Sequence, residues 1–285
     1  MYDKKVIHLL QNEINKLPIT ELEQYVNGQI VSKGLQSDGA FYVTWNITNA
    51  CNLSCIYCSN ENENASTIEV DFEKKLEIIN ILARNNTKHV KLLGGEPTIS
   101  DSFDEVLDLL LSRNIFVSFS TNGAGITKKT VDVLRKYSPT MYRISFSLDS
   151  SNDVHNDMNR GQGSGIIAKN AIALLIENVA NIELDIVSVL TPFNKNDILE
   201  TYYYAKSMGI KRIGVTFVLL SGRASNEMLL DITDDLLTKL LELVELAKRD
   251  NIKICTLGLG YSVFSCYDDE NKSHYSLSDE DAEII

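Results

Sequence analysis

Three cysteines stand close together in the run Thr48-Asn49-Ala50-Cys51-Asn52-Leu53-Ser54-Cys55-Ile56-Tyr57-Cys58. Their spacing is C-x3-C-x2-C, and they follow a strand-like stretch that starts at Phe41. Three thiolates on one tight loop can ligate three irons of a [4Fe–4S] cube and leave the fourth iron open to a small molecule, cysteine being the usual ligand of such clusters. A structural zinc site wants four ligands, commonly in C-x2-4-C pairs, and no fourth lies nearby. A disulfide framework suits small secreted scaffolds. This chain has 285 residues, five cysteines and no signal peptide, so its thiols are expected to be reduced.

Elements that could hold such a loop are legible on both sides of it. Strand-like runs cover Tyr42–Ile47, Val90–Leu93, Ile115–Ser120, Tyr142–Leu148, Ile182–Leu190 and Arg212–Leu220. Helical patterns lie between them near 71–85, 101–113, 127–137, 165–179 and 195–208, with another at 233–250. Asp71, Asp101, Thr127 and Thr233 are the expected N-caps. Six strands alternating with helices imply a parallel sheet with helices outside, and right-handed crossovers curl such a sheet into part of a barrel. The expected class is therefore α/β, a partial (β/α)6 barrel of parallel strands over residues 41–225. A short helical N-terminal extension over 1–40 precedes it, with apolar positions at Val6, Leu9, Leu10, Ile14 and Leu17 broken near Pro18. A C-terminal helix and a short irregular extension over 226–285 follow. The acidic tail from Asp268 is expected to be flexible or weakly docked.

Composition narrows the function. The chain is 44% hydrophobic and 23% charged, that of an ordinary soluble globular protein. No apolar run approaches the length of a membrane span, and a cytoplasmic setting is expected. A net charge of −12 argues against a nucleic-acid substrate, which wants a basic surface. Four prolines and no low-complexity tract leave no visible linker.

Short motifs then follow successive strands, at the edge where sites collect in α/β folds. Gly94-Gly95-Glu96-Pro97-Thr98 follows the second strand, its glycines able to let a ligand approach the backbone. Thr121-Asn122-Gly123 follows the third. Ser145-Phe146-Ser147-Leu148-Asp149 ends the fourth and is followed by His155 and Arg160-Gly161-Gln162-Gly163-Ser164, where the arginine could pair with a carboxylate. Leu220-Ser221-Gly222-Arg223-Ala224 follows the sixth. Each alone is an ordinary turn.

In this order, from about Val43 to Ala224, the series resembles the radical S-adenosylmethionine (SAM) superfamily. Within it the chain looks most like the SPASM/Twitch branch of peptide maturases and anaerobic sulfatase-maturing enzymes. The resemblance implies a [4Fe–4S] cluster on Cys51, Cys55 and Cys58, with the amino and carboxylate groups of SAM on the open iron. It implies that backbone at Gly94, Gly95, Glu96 and Pro97 holds the amino group and Arg160 faces the carboxylate. Tyr57 would contact the adenine, Ser147 the ribose or carboxylate, and strand-six backbone near Val215 would complete the adenine site. One electron from the cluster, delivered by a donor such as flavodoxin or ferredoxin, would cleave SAM to a 5′-deoxyadenosyl radical that takes hydrogen from a substrate. The cofactor carries this chemistry, while the protein positions and excludes water. Such an open cluster would be oxygen-sensitive.

The chain departs from that branch at its C-terminal side, where relatives carry several further cysteines for auxiliary clusters. Only Cys255 and Cys266 are present there, so a full auxiliary-cluster domain is not expected, whether or not the chain is a shortened one. The two could share a cluster with another ligand, form a disulfide, act as a radical-quenching thiol, or simply be buried. A redox-neutral outcome such as epimerisation or rearrangement is favoured accordingly. The expected substrate is a ribosomally made peptide. The alternatives are a small metabolite and, in a different class, a non-catalytic iron–sulfur redox sensor.

Overall fold

A computed structural model of the chain describes residues 42–59, 69–231 and 233–257. The expected N-terminal helices, Cys266 and the acidic tail lie outside the described residues. Those described form two units, one of residues 42–52, 69–120 and 125–143, the other of residues 53–59, 121–124, 144–231 and 233–257.

The first unit contains β1 (Tyr42–Thr48), α1 (Phe72–Arg84), β2 (His89–Gly94), α2 (Phe103–Ser112), α3 (Lys128–Leu134) and β3 (Phe116–Thr121, whose last residue belongs to the second unit). Its strands pair in parallel in chain order, with Val43 opposite Val90 and Leu92 opposite Phe119. Alternation sorts the side chains. Trp45, Ile47, Val90, Leu92, Val117 and Phe119 are buried, while Thr44, Asn46, Lys91, Ser118 and Ser120 on the other face are only half-buried. Phe103 of α2 meets Phe119 edge-on at 5.1 Å, so α2 covers the apolar face. Asp71 caps α1 through Lys74 N at 2.8 Å, and Thr127 forms a capping box with Thr130 at the start of α3. Asp101 is not a cap; Ser102 holds that position in α2 and makes no side-chain capping bond.

The second unit contains β4 (Tyr142–Ser147, its first two residues counted with the first unit), α4 (Asp153–Arg160), α5 (Ser164–Asn178), β5 (Leu184–Leu190), α6 (Ile198–Ser207), β6 (Arg212–Phe217), α7 (Asp234–Asp250) and β7 (Lys253–Leu257). Its strands also run parallel in chain order, β4 through β7. Leu236, Leu240, Leu243 and Ala247 form the buried stripe of α7, which Thr233 caps.

Two elements correct the sequence expectation. β7 lies where an irregular extension was expected, and Cys255 sits in it opposite Gly214. Helix α4 occupies a stretch to which the sequence pattern assigns no element, because its polarity is inverted. Val154 and Met158 face solvent, at 67% and 47% exposure, whereas Asn156, Asn159 and Arg160 are buried. Asn152 caps it, and Asp157 accepts from the N–H groups of Gly163 (2.6 Å) and Gly165 (3.0 Å), joining α4 to the start of α5.

Candidate functional site

In the first unit the chain leaves β1 and reaches Cys51 through two backbone bonds. Gly95 N donates to Thr48 O at 3.0 Å, and Glu96 N donates to Ala50 O at 2.8 Å. A Cβ on Gly94 would lie 2.2 Å from Thr48 O, and one on Gly95 2.2 Å from Ala50 O. The two glycines therefore admit the backbone that leads into the cysteine loop, where the sequence suggested room for a ligand. The Glu96 carboxylate turns back to accept from Thr98 N (3.1 Å) and Thr98 Oγ1 (2.6 Å), capping a 3-10 turn that begins at Pro97. With the N–H groups of Gly95 and Glu96 engaged, carbonyl oxygen is what this strand end has for a ligand's ammonium.

Beyond the loop, Glu69 is tied back to the same place. It pairs with the buried Lys75 and accepts from Ser100 and Thr48. Burial raises its carboxyl, yet Lys75, Ser100 and Thr48 outweigh that and hold it below the usual range. Lys75 Nζ also reaches Ser100 Oγ at 3.0 Å and Ser102 Oγ at 2.8 Å.

The second unit holds Cys55 to Cys58 as a closed turn, with Cys58 N donating to Cys55 O at 3.2 Å. The C-terminal end of α4 grips it from one side. Ile56 N donates to Asn159 O at 3.0 Å, and Cys55 Sγ contacts Arg160 O at 3.8 Å. Tyr57 OH donates to Asp149 Oδ2 at 2.5 Å and accepts from Arg160 Nη1 at 2.6 Å. Arg160 Nη1 also faces Asp149 Oδ1 at 3.4 Å, an oxygen that accepts from Val189 N at 3.1 Å. Asn194 and Asn156 complete the shell, bonding Asp149 O and Asp149 N at 2.7 and 2.9 Å. Burial, then the Asp149 charge, pushes the Tyr57 phenol well above its ordinary value, so it stays a neutral donor. Burial disfavours charge on Arg160, but Tyr57, Asp149 and Cys55 more than offset it and the guanidinium remains a cation.

Gly222 and Arg223, beyond β6, grip the turn too. Arg223 N donates to Cys58 O at 2.9 Å, and Arg223 Nε donates to Cys55 O at 3.0 Å. Gly222 has φ +60, and a Cβ there would lie 2.3 Å from Cys58 O. Sequence reasoning assigned no role to Asp149, Asn159 or Arg223, although the S-L-D and S-G-R-A motifs contain two of them.

The remaining expected residues are placed as follows. Ser147 ends β4, half-buried on the face that also carries Ser145. Val215 is mid-strand in β6, opposite Ser188 of β5 and Thr256 of β7, with its side chain buried. Its backbone groups point at neighbouring strands, which leaves the strand's C-terminal end for any ligand. His155 Nδ1 pairs with Asp197 Oδ2 at 2.6 Å, and Ser150 Oγ donates to the same oxygen at 2.6 Å.

An iron–sulfur cluster fits these residues in two respects. Cys51, Cys55 and Cys58 are thiols outside any disulfide, the donor type such clusters take. Two side-chain donors of the residues whose carbonyls meet the turn, Asn159 Nδ2 and Arg160 Nε, are buried without a hydrogen-bond partner, as groups awaiting an acceptor would be. Among the described residues no three His, Cys, Asp or Glu side chains are gathered as a ready-made metal cage. No helix among them is long and apolar enough to cross a membrane.

Comparison with known proteins gives the family and the fold. Residues 45–235 match the model of the radical SAM superfamily, about two thirds of the chain. Mycofactocin maturase MftC of Mycolicibacterium smegmatis is 32% identical over 200 residues, 70% of this chain and 48% of that protein. The sporulation killing factor maturation protein SkfB of Bacillus subtilis is 26% identical over 224 residues, 76% of this chain and 52% of that protein. The chain thus spans about half the length of these curated relatives. Streptococcus suis SuiB, solved bound to its precursor peptide SuiA, superposes with a TM-score of 0.62 at 22% identity over 77% of this chain and 49% of that one. SuiB bound to S-adenosylmethionine gives 0.63 at 21%, over 90% and 61%. At these identities the likeness is one of fold, the partial α/β barrel expected from the sequence.

Proposed function

The chain belongs to the radical SAM superfamily, which implies an iron–sulfur cluster and S-adenosylmethionine, and from that premise we propose that it modifies a ribosomally made peptide. The cluster in this reading is a [4Fe–4S] cube on Cys51, Cys55 and Cys58. When bound, it supplies the electron that cleaves SAM and so releases the adenosyl radical that takes hydrogen from the substrate. The protein's own part is to hold and orient. Carbonyls at Gly94 to Pro97 take the ligand's ammonium. Arg160, whose Nε is buried without a partner, faces its carboxylate while Asp149 holds the guanidinium in place. Tyr57 stays neutral and anchored through its hydroxyl, presenting its ring to the adenine, and Ser147 reaches the ribose or carboxylate. Flavodoxin or ferredoxin is the proposed electron donor.

One observation carries the reading: a thiol-bearing turn held by the backbone of Asn159 and Arg160 and by Arg223, the first two each carrying an orphan side-chain donor. Such support favours a turn that must hold its thiols in fixed positions, as a cluster site requires. A peptide substrate is favoured because MftC and SkfB are a maturase and a maturation protein, and because SuiB takes a precursor peptide.

The test is anaerobic. The chain is reconstituted with iron and sulfide, then mixed with SAM, a strong reductant and short peptides encoded beside its gene. The expected result is 5′-deoxyadenosine by mass spectrometry, lost in Cys55→Ala, with a mass change on one peptide. A loaded chain that binds no SAM would refute the radical reading; SAM cleavage with every such peptide unchanged would refute the peptide.

A further inference from the structure

The grip of Arg223 on the cysteine turn goes beyond what is needed to close a loop. Cys58 N already closes the turn onto Cys55 O, and Arg223 Nε adds a second, charge-assisted bond to the same oxygen at 3.0 Å. Arg223 N takes Cys58 O at 2.9 Å, so one residue holds the carbonyls of both thiol-bearing positions. Gly222, at φ +60 and with 2.3 Å to Cys58 O where its Cβ would be, is the only kind of residue that brings Arg223 this close. Holding two carbonyls asks only for N–H donors; a guanidinium adds a positive charge fixed against the turn. Thiols as such do not call for that charge, whereas thiolates bearing an electron-accepting cluster do.

We propose that Arg223 is a positioning residue that fixes the Cys55–Cys58 turn and, through its charge, sets how readily a cluster held there accepts an electron. The inference rests on the reading of Cys51, Cys55 and Cys58 as cluster ligands. Reduction adds one negative charge to the cluster. A fixed cation beside it stabilises the reduced form more than the oxidised one, and net charge and local hydrogen bonding are what tune such potentials. Arg223→Gln keeps a side-chain donor and loses the charge; Arg223→Lys keeps the charge and loses the planar fork.

The experiment uses the full chain, reconstituted anaerobically as wild type, Arg223→Gln and Arg223→Lys. Iron and sulfide are counted per chain, and the midpoint potential is read by EPR during a dithionite titration without SAM. With equal iron in all three, Arg223→Gln is expected to show at least a tenfold lower ratio of reduced to oxidised cluster at fixed low potential. That corresponds to a midpoint about 59 mV more negative. Arg223→Lys should stay much nearer wild type. Equal midpoints in wild type and Arg223→Gln would overturn the inference and leave the cluster reading standing. A wild-type chain that takes up no iron would overturn the cluster reading and the inference with it. If only Arg223→Gln fails to load, alkylation of the iron-free chains decides. Labelling of Cys55 and Cys58 several-fold faster than in wild type, with Cys255 unchanged, supports the grip, and equal rates overturn it.

Discussion

Gly95→Ala separates two explanations of the Gly94-Gly95 pair. The added Cβ would lie 2.2 Å from Ala50 O, 2.6 Å from Ala50 C and 2.7 Å from Asn49 O. All three are backbone atoms, and the shortest is about 1 Å or more inside ordinary contact. No rotamer relieves this, so the strand end or the run before Cys51 must move. Such a shift stretches Gly95 N to Thr48 O and Glu96 N to Ala50 O, now 3.0 and 2.8 Å. Overpacking costs about 1–3 kcal/mol, and weakening two backbone hydrogen bonds adds about 1 kcal/mol. The expected loss is roughly 2–4 kcal/mol, or about 1–2 M in urea midpoint at an m-value near 2 kcal/mol/M. Iron-free protein followed by circular dichroism gives that number, and iron per chain after reconstitution shows whether Cys51 remains in reach of a cluster. An unchanged midpoint with reduced SAM affinity would refute the argument, because the glycine would then serve ligand approach alone.

Arg160→Ala leaves Asp149, fully buried, without its cation; a loss of about 3–5 kcal/mol is expected, and adding Asp149→Asn should recover part of it in urea titrations of single and double variants. Replacing Cys51, Cys55 or Cys58 by Ala should abolish iron binding and SAM cleavage together, read by iron assay and mass spectrometry, while Cys255→Ala keeps the iron. His89, between Tyr42 and Phe116, has its imidazole lowered from 6.5 to about 4 by burial, then by Lys91 and Arg143. Between those values the unfolded chain takes a proton that the folded one refuses, so its contribution is complete above pH 6.5 and is lost as pH falls to 4. The stability difference between wild type and His89→Gln, measured in urea at steps of pH, should therefore change across that window and be flat above it.

The barrel strands and most of the helices were legible because alternation and helical periodicity report burial against one apolar layer, and β1 to β6 bury Trp45, Leu92, Phe119, Phe146, Ile186 and Ile213 in that way. The cysteine loop was legible because its chemistry is local. Helix α4 was not: its buried face is Asn156, Asn159 and Arg160 and its apolar residues point outward, so periodicity reads it backwards. The glycines announced a close approach without naming the approaching atom, which is the backbone of Thr48 and Ala50. Asp149 and Arg223 were visible as motif letters only. Their roles depend on partners 92 and 168 residues away in the chain, a separation no local pattern encodes.

That separation also sets an order of events during synthesis. Cys55 and Cys58 leave the ribosome first, Asn159 and Arg160 follow about a hundred positions later, and Arg223 comes last. At 5–20 residues per second, the nascent thiols wait roughly 8–34 s for the full clasp. During that interval they are on an unsupported loop, open to stray metal and oxidant. On the proposed reading of Cys55 and Cys58 as cluster ligands, iron delivered after the sixth strand and Arg223 have docked meets a finished socket, and iron delivered earlier meets bare sulfur.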